Sequence, residues 1–350
     1  MGSLDHLRGV ESTLRATAVS SALLLAAWLL RDVLLLVFAS VLLACALRLA
    51  SDWFSRVTGT GPGLSLLIVA ALITAVAGGL AWWRGPVVAG EAANLAVQLR
   101  ASLQHLWGRF GEASWWPQAR GALRNAAPSS LGDLGGYLSS ITASTLGIGG
   151  SLVLIVSAAL FLAVSPATYR DGMVRLLPPR RRERARTILE AVGTALQYWF
   201  LGQLVDMLVV AVLIGAGLAA LGVPLALTLA LFAGLLNFVP FIGALAGAVP
   251  AVLVASGQSS TQALWVAALF AAVQTLEGNV IAPLIQKRTV ALPPALTIFS
   301  QTILGTLFGV LGLILATPVM AALLVLVRMA YVEDVLERGP EHDATDPPCP

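Results

Sequence analysis

Two carboxylate residues stand inside long apolar runs of this chain, and each follows a glutamine by three positions. The pairs are Gln203 with Asp206 and Gln274 with Glu277. Residues at i and i+3 share one face of a helix, so each helix should present an amide and a carboxyl group in the same direction. An ionisable group at the centre of a membrane helix costs about 2.5–3.5 kcal/mol on insertion scales, so it is expected to be protonated, paired or in contact with water. This chemistry suits the binding and release of protons. The simpler explanation is interhelical hydrogen bonding, worth about 0.6 kcal/mol per residue.

The apolar run at 225–256 is broken in its middle by Asn237 and Pro240. It is too long for one ordinary span, since a bilayer core takes about 20 helical residues. Pro240 removes a backbone donor and disfavours helical geometry at the residue before it. Inside a membrane the freed backbone groups need partners from protein, ions or a wet cavity, and broken helices of this kind commonly form transport sites. The sequence leaves open whether this segment crosses the membrane or turns back as a hairpin.

A weak internal repeat involves the same segment. Gly243-x-x-x-Gly247 leads to Pro250, and Gly312-x-x-x-Ala316 leads to Pro318. Small residues four apart allow helices to approach closely, and paired interrupted segments are typical of transporters built from repeats. Chance similarity is the alternative, because the chain contains 33 glycines.

Composition identifies the protein class. Hydrophobic residues make up 58% of the chain and charged residues 11%, and the mean hydropathy is +0.86. Soluble domains have about 25% charged residues, so this is an integral membrane protein. The apolar runs are too long for strands and do not alternate, which predicts an all-α fold with about eight transmembrane helices.

Several function classes are disfavoured by the residues. The two cysteines and three histidines show no disulfide framework or metal-ligand spacing, and no cofactor is predicted. No nucleotide-binding loop of the G-x-x-x-x-G-K-[ST] type occurs, which argues against direct ATP drive. The arginines are not interleaved with stacking aromatics, so no nucleic-acid partner is expected. No cleavable signal peptide is apparent.

The predicted organisation has five parts. They are 1–83, the N-terminal transmembrane helices; 84–144, an extracytoplasmic amphipathic helical region; 145–199, a transmembrane helix with a basic cytoplasmic loop; 200–330, the C-terminal transport core; and 331–350, a disordered tail. The apolar runs fall near 16–30, 33–50, 62–83, 145–165, 200–220, 225–256, 262–284 and 295–330.

Arginines concentrate between Arg180 and Arg186, directly after Pro178-Pro179. The positive-inside rule places this basic cluster in the cytoplasm, and counting spans from it puts both termini on the same side. A solvated, topology-setting cluster explains the pattern, and docking to anionic lipid is the second explanation.

The second half of the chain resembles the AI-2E family of bacterial transporters. The matching motifs are Gly202-Gln203; Gly222-Val223-Pro224; Leu236-Asn237-Phe238-Val239-Pro240-Phe241-Ile242-Gly243; Gln274-x-x-Glu277-Gly278-Asn279-x-x-x-Pro283; Leu292-Pro293-Pro294; and Leu307-Phe308-Gly309-x-x-Gly312. The resemblance covers about 16–330 and is densest over about 200–320. One departure is Leu201, where many relatives carry an arginine before the Gly-Gln pair, which leaves the substrate specificity open.

The resemblance implies an inner-membrane homo-oligomer that moves small solutes through the lipid bilayer. For some members the solute is the quorum-sensing signal autoinducer-2, and others exchange sodium or lithium for protons. Together with the polar residues, it predicts a transport path. The residues are Gln203, Asp206, Asn237, Pro240, Gly243, Gln274, Glu277, Asn279 and Pro283.

Three functional hypotheses follow. The first is a secondary transporter that exports a small polar solute such as autoinducer-2, coupled to protons or ions. The second is a sodium (lithium)/proton antiporter, which needs a titrating carboxylate such as Glu277 or Asp206. The third is a non-transporting oligomeric scaffold in which the broken helix serves only packing. An enzyme is not expected, because no nucleophile is paired with a base in the sequence.

Overall fold

A computed structural model describes residues 30–75, 78–79, 82, 90, 150–286 and 292–336 of the chain. Within these ranges every regular element is helical, which confirms the all-α fold class. The apolar run at 16–30 (apart from residue 30), nearly all of the amphipathic region at 84–144, and the tail beyond residue 336 lie outside the described residues.

The helices are α1 (Arg31–Thr58), α2 (Pro62–Ala75), α3 (Gly150–Val164), α4 (Pro166–Arg175), α5 (Arg182–Ala220), α6 (Ala226–Leu236), α7 (Ile242–Ser256), α8 (Ser260–Leu276), α9 (Ala282–Gln286) and α10 (Pro294–Val327). A short 3-10 turn, Pro179–Arg181, precedes α5. A π-helical turn, Glu277–Ile281, joins α8 to α9, and a second π-helical segment, Arg328–Leu336, continues α10.

Four described segments are long and apolar enough to cross a membrane: Arg31–Thr58, Pro179–Ala220, Ser260–Ile285 and Pro294–Asp334. The bent pair formed by α3 and α4 is a fifth candidate. These segments agree with a multi-pass membrane protein, while the number of about eight spans stays a prediction.

Two helices are longer than the apolar runs that predicted them. Helix α1 reaches Thr58 and ends where Gly59 adopts a left-handed φ of 70° and donates its N–H to the carbonyl of Ser55. Helix α5 spans 39 residues and begins well before the apolar run at 200–220. Its polar start is rich in Arg, Glu, Ala and Leu, which are strong helix formers, so the helix continues beyond the apolar segment.

The segment 225–256 turns back on itself as a helical hairpin, which we call hairpin 1. A Cβ atom at Gly243 would lie 1.8 Å from the carbonyl oxygen of Leu236, and one at Gly247 would lie 2.9 Å from Cα of Ala233. Residue numbers that rise along α7 therefore pair with numbers that fall along α6, so the two arms are antiparallel. Their 11 and 15 residues are each fewer than the roughly 20 needed to cross a bilayer.

The last apolar run also folds back, at Gly309, and forms hairpin 2. Gly309 has φ 64° and ψ −147°, which are not helical values. A Cβ atom at Gly312 would lie 2.2 Å from the carbonyl oxygen of Leu304, whereas a continuous helix separates residues eight apart by about 12 Å. The two segments of the weak sequence repeat thus occupy equivalent places: in each hairpin a close-packed glycine follows the turn, and a buried proline follows that glycine.

Helix α5 lies between two apolar clusters and links them. Val210, Ile214 and Leu218 are buried against hairpin 1 and α8. Nearer its start, Leu196 and Trp199 are buried in a cluster that includes residues of α1 and α10. The polar stretch of α5 between these clusters is thereby held facing the break in hairpin 1.

The end of the last described helical segment is tied to the start of α5. Arg184 contacts Glu333 at 2.9 Å and Asp334 at 3.0 Å, and it donates to the carbonyl of Met329 at 2.9 Å. Helical structure therefore continues to Leu336, beyond the boundary at residue 331 where the sequence predicts a disordered tail.

Candidate functional site

Asn237 is the centre of a buried polar cluster at the turn of hairpin 1. Its Nδ2 donates a hydrogen bond to Oδ2 of Asp206 at 2.8 Å and another to Oε1 of Glu277 at 3.2 Å. All three side chains are buried, and Asn237 is completely so. A primary amide carries two N–H groups, so this single residue can bridge both carboxyl groups and hold them side by side.

Each of the three residues also has one buried side-chain oxygen that accepts no hydrogen bond from the described residues. Asp206 Oδ1, Asn237 Oδ1 and Glu277 Oε2 have no hydrogen-bond partner in the described part of the protein. A buried polar atom without a partner is costly, and a buried carboxylate requires a counter-charge or a proton. Carboxylate and amide oxygens are also the ligands that small hard cations prefer. The cluster can therefore accept a proton or a cation.

The turn of hairpin 1 is held by two glutamine side chains from other helices. Gln203 of α5 donates its Nε2 to the carbonyl of Asn237 at 2.8 Å, and Gln301 of hairpin 2 donates to the carbonyl of Pro240 at 2.9 Å. The N–H of Ile242 also bonds to the Pro240 carbonyl across Phe241, whose φ is 64° and ψ −59°. This γ-turn with positive φ is strained for a bulky residue. The backbone groups freed by the break are thus partly satisfied by side chains.

A local widening of the helix places Glu277. The N–H of Ala282 bonds to the carbonyl of Glu277, five residues back, which makes the turn π-helical. Pro283 explains it, because a proline lacks the N–H for a regular helical bond and its ring clashes with the carbonyl four residues earlier. Single π-turns inside helices occur frequently at functional sites.

The cluster opens onto a cavity of about 370 Å³ between α5, the two hairpins and the π-turn. Ligand-binding clefts in proteins commonly measure about 300–1,000 Å³, so a small solute fits. The residues that line it are Trp199, Gly202, Gln203, Asp206, Pro240, Phe241, Gln274, Glu277, Gly278, Ala282, Pro283, Ile285, Leu292, Pro294, Thr297 and Thr317. No arginine, lysine or histidine occurs among these described lining residues.

Comparison with known proteins identifies the family of this chain. The family model described as AI-2E family transporter matches residues 18–331. The chain belongs to the AI-2E transporter family.

Several curated relatives of this AI-2E protein are named as candidate transport proteins. YueF of Bacillus subtilis (strain 168) is 26% identical over 274 residues, which is 74% of each chain. YrrI of the same organism is 34% identical over 151 residues, or 43% of each chain. MT0215 of Mycobacterium tuberculosis (strain CDC 1551 / Oshkosh) is 29% identical over 205 residues, or 56% of each chain. The matched region thus spans less than half of YrrI and just over half of MT0215.

The AI-2E protein brings together most of the residues proposed for the transport path. Those that line the cavity are Gln203, Asp206, Pro240, Gln274, Glu277 and Pro283. Asn237 lies directly behind two of them, bonded to both carboxyl groups. Gly243 instead packs against α6, and Asn279 is exposed and bonds to the carbonyl of Thr275 in the preceding turn. These two residues therefore do not line the cavity.

Sequence reasoning missed the contribution of hairpin 2. Thr297, Gln301 and Thr317 are buried polar residues in the last apolar run. A straight helix would place Thr297 and Thr317 about 30 Å apart, yet both line one cavity because the chain folds back at Gly309. Gln301 is an amide in an apolar segment, the same signal that drew attention to Gln203.

We expect Gln203→Leu to destabilise the AI-2E protein by about 1–3 kcal/mol, because the buried carbonyl of Asn237 would lose its side-chain donor. Unfolding in a detergent–denaturant mixture, followed by tryptophan fluorescence, measures the effect. Gln258→Leu is the matched control, since Gln258 is exposed. Equal unfolding midpoints for the two variants would contradict a supporting role for Gln203.

Proposed function

We propose that this protein is a secondary transporter of the bacterial inner membrane that exports a small polar solute such as autoinducer-2, with coupling to protons or ions. The observation that carries the proposal is the cavity that joins the bridged carboxyl groups to the turn of hairpin 1 and to the arms of hairpin 2. In the proposed arrangement, both termini are cytoplasmic and the protein acts as a homo-oligomer.

The shape and polarity of the cavity support a small polar cargo. Its volume of about 370 Å³ suits a sugar-like molecule, and amide and hydroxyl groups from Gln203, Gln274 and Thr297 lie on its wall. Trp199, Phe241 and the prolines supply the apolar part of the lining. Ligand sites in proteins typically combine such an apolar wall with a few polar groups.

The turn of hairpin 1 supplies a means of opening the path. Trp199 of α5 meets Phe238 of the turn edge to face, with ring centroids 5.8 Å apart. The strained Phe241 lies at the same turn and faces the cavity. Strain of this kind collects where a segment must change conformation, so the turn is the proposed moving part.

Counterflow of labelled autoinducer-2 into proteoliposomes tests the proposal. We expect exchange with the wild-type protein, and we expect Asn237→Leu to reduce it to the level of protein-free liposomes. Leucine matches the size of asparagine but cannot bridge Asp206 and Glu277. Gln258→Leu, which removes an exposed amide, should exchange like the wild type.

A scaffold function would give the opposite pattern. Solute exchange would then be absent in the wild type, and Asn237→Leu would leave stability unchanged or raise it. That combination would overturn the proposed transport function.

Sodium (lithium)/proton antiport is the second candidate, favoured by the three unpartnered oxygens of Asp206, Asn237 and Glu277. A pH-sensitive dye trapped inside proteoliposomes separates the two candidates. Sodium pulses that change the internal pH without any added solute would favour antiport. A pH change that requires autoinducer-2 would favour proton-coupled export.

A further inference from the structure

Helix α4 runs almost perpendicular to the helix before it. The angle between α3 and α4 is 86°. Ser165 separates them with φ −134° and ψ 60°, and Pro166 is the first residue of α4. A residue that precedes a proline is pushed out of helical geometry, which explains the corner. Because α3 is an apolar helix of a membrane protein, a helix at right angles to it lies along the bilayer surface when α3 crosses the bilayer.

One face of α4 and the residue after it expose large apolar side chains. Tyr169, Met173 and Leu176 follow the i, i+4, i+7 spacing that places residues on one helix face. Their exposed fractions are 45%, 55% and 87%. Val174, on the other side of α4, is only 4% exposed. Helix α4 thus buries an apolar residue on one side and leaves an apolar face uncovered on another.

Helix α4 is tied to the start of α5 by arginine side chains. Arg186 contacts Asp171 of α4 at 3.1 Å. Arg182 donates to the carbonyls of Leu177 at 3.0 Å and Arg175 at 3.2 Å. These contacts fix α4 and the turn after it relative to the long helix α5.

Three other arginines lie at the end of α4 and in the turn that follows it, and none of them takes part in these contacts. Arg175, Arg180 and Arg181 are exposed, and within the described ranges their guanidinium groups form no hydrogen bond or ion pair. Arg175 ends α4, and the other two belong to the 3-10 turn that follows.

We propose that this surface docks on anionic lipid headgroups. It consists of the apolar residues Tyr169, Met173 and Leu176 and the cationic residues Arg175, Arg180 and Arg181. The charge complementarity is direct, because basic groups at a membrane surface attract anionic lipids while neighbouring apolar side chains enter the interface. The surface is separate from the transport cavity, so this inference does not depend on the proposed function.

Lipid titration tests the cationic half of the surface. Delipidated protein in neutral detergent is titrated with phosphatidylglycerol or phosphatidylcholine, and bound lipid is counted by native mass spectrometry. We expect a preference for phosphatidylglycerol that Arg180→Gln/Arg181→Gln weakens by about fivefold per arginine at low ionic strength. The matched control is Arg56→Gln/Arg328→Gln, which removes the same charge from exposed positions elsewhere. Equal phosphatidylglycerol binding by both double variants would overturn the proposal.

A position-specific probe tests the apolar half. Leu176→Cys, made in a Cys45→Ala/Cys349→Ser background, is labelled with an environment-sensitive fluorophore in vesicles of phosphatidylcholine and phosphatidylglycerol. We expect spin-labelled lipid to quench the probe, and we expect weaker quenching at about 1 M salt, where the Debye length is only about 3 Å. Absence of quenching would overturn the proposal. If the unlabelled variant, treated with a mild thiol oxidant, formed a disulfide between two chains, a second copy would be the occupant.

Discussion

Glu277→Gln is expected to abolish proton- or ion-coupled flux while leaving the protein folded. Glutamine has nearly the shape of glutamate and keeps a carbonyl oxygen that can accept the hydrogen bond from Asn237. It cannot gain or lose a proton, and it carries no charge to hold a cation. In proteoliposomes under an imposed pH gradient, the variant should fall to the level of protein-free vesicles.

We expect so large an effect because Asn237 holds the two carboxyl groups side by side. Asp206 and Glu277 both accept from a single nitrogen of Asn237, and each keeps one buried oxygen without a partner in the described structure. Asp206→Asn should therefore abolish coupled flux as well, and the double variant should be no worse than either single variant, because residues that act together are non-additive.

Glu183→Gln is the matched control for this series. It removes a carboxylate whose side chain is 86% exposed and whose contact with Arg186 is 3.7 Å long. We expect wild-type flux from it. Wild-type coupling by Glu277→Gln at every imposed pH gradient would contradict the assignment of Glu277, while a folded protein with uncoupled flux would restrict its role to coupling.

Local spacing was enough to predict which polar residues share one face of a helix. The pairs Gln203/Asp206 and Gln274/Glu277 face one cavity because helical residues three apart share a face. The break at Asn237 was also visible, since proline has a fixed effect on the backbone wherever it occurs. These features need only the chemistry of neighbouring residues, and the all-α membrane class needs only composition.

Whether a broken helix crosses or returns could not be predicted in the same way. An apolar run of this length can either cross the membrane or turn back. Which of the two occurs depends on how closely Gly243 approaches Leu236 across the turn. The fold-back at Gly309 was even harder to predict from the sequence. Glycine is common throughout this chain, and its left-handed φ of 64° leaves no mark in the sequence. Thr297 and Gln301 were missed as site residues for that reason.

The basic cluster shows that ion pairs between distant parts of the chain could not be predicted from the sequence either. Its arginines were expected to be solvated or to face lipid, but Arg184 pairs with Glu333 and Asp334, about 150 positions later in the chain. Partners so distant are brought together by packing, and no local pattern encodes them. What remains available to lipid is the subset of arginines that the fold leaves unpaired.

Gly243→Ala is expected to be among the most destabilising single-methyl additions in this protein, at about 3 kcal/mol or more. Overpacking typically costs about 1–3 kcal/mol when flexible side chains can yield. Here the new Cβ would lie 1.8 Å from the backbone carbonyl oxygen of Leu236. The α6 and α7 arms would have to separate at the turn that holds Asn237, so transport should be lost along with stability.

A series of glycine-to-alanine variants with decreasing steric conflict tests the expected loss of stability. At Gly247 the added atom would lie 2.9 Å from Cα of Ala233, so Gly247→Ala should cost less than Gly243→Ala. At Gly193, in the polar start of α5, the added Cβ would have no packing neighbour within 4 Å among the described residues outside the adjacent helix backbone. Gly193→Ala should be neutral or stabilising by up to about 1 kcal/mol, because alanine favours helix more than glycine does. Unfolding midpoints followed by tryptophan fluorescence give the order. If Gly243→Ala melted like Gly193→Ala, the arms of hairpin 1 would not pack in this register, and the position of Asn237 between the two carboxyl groups would lose its structural basis.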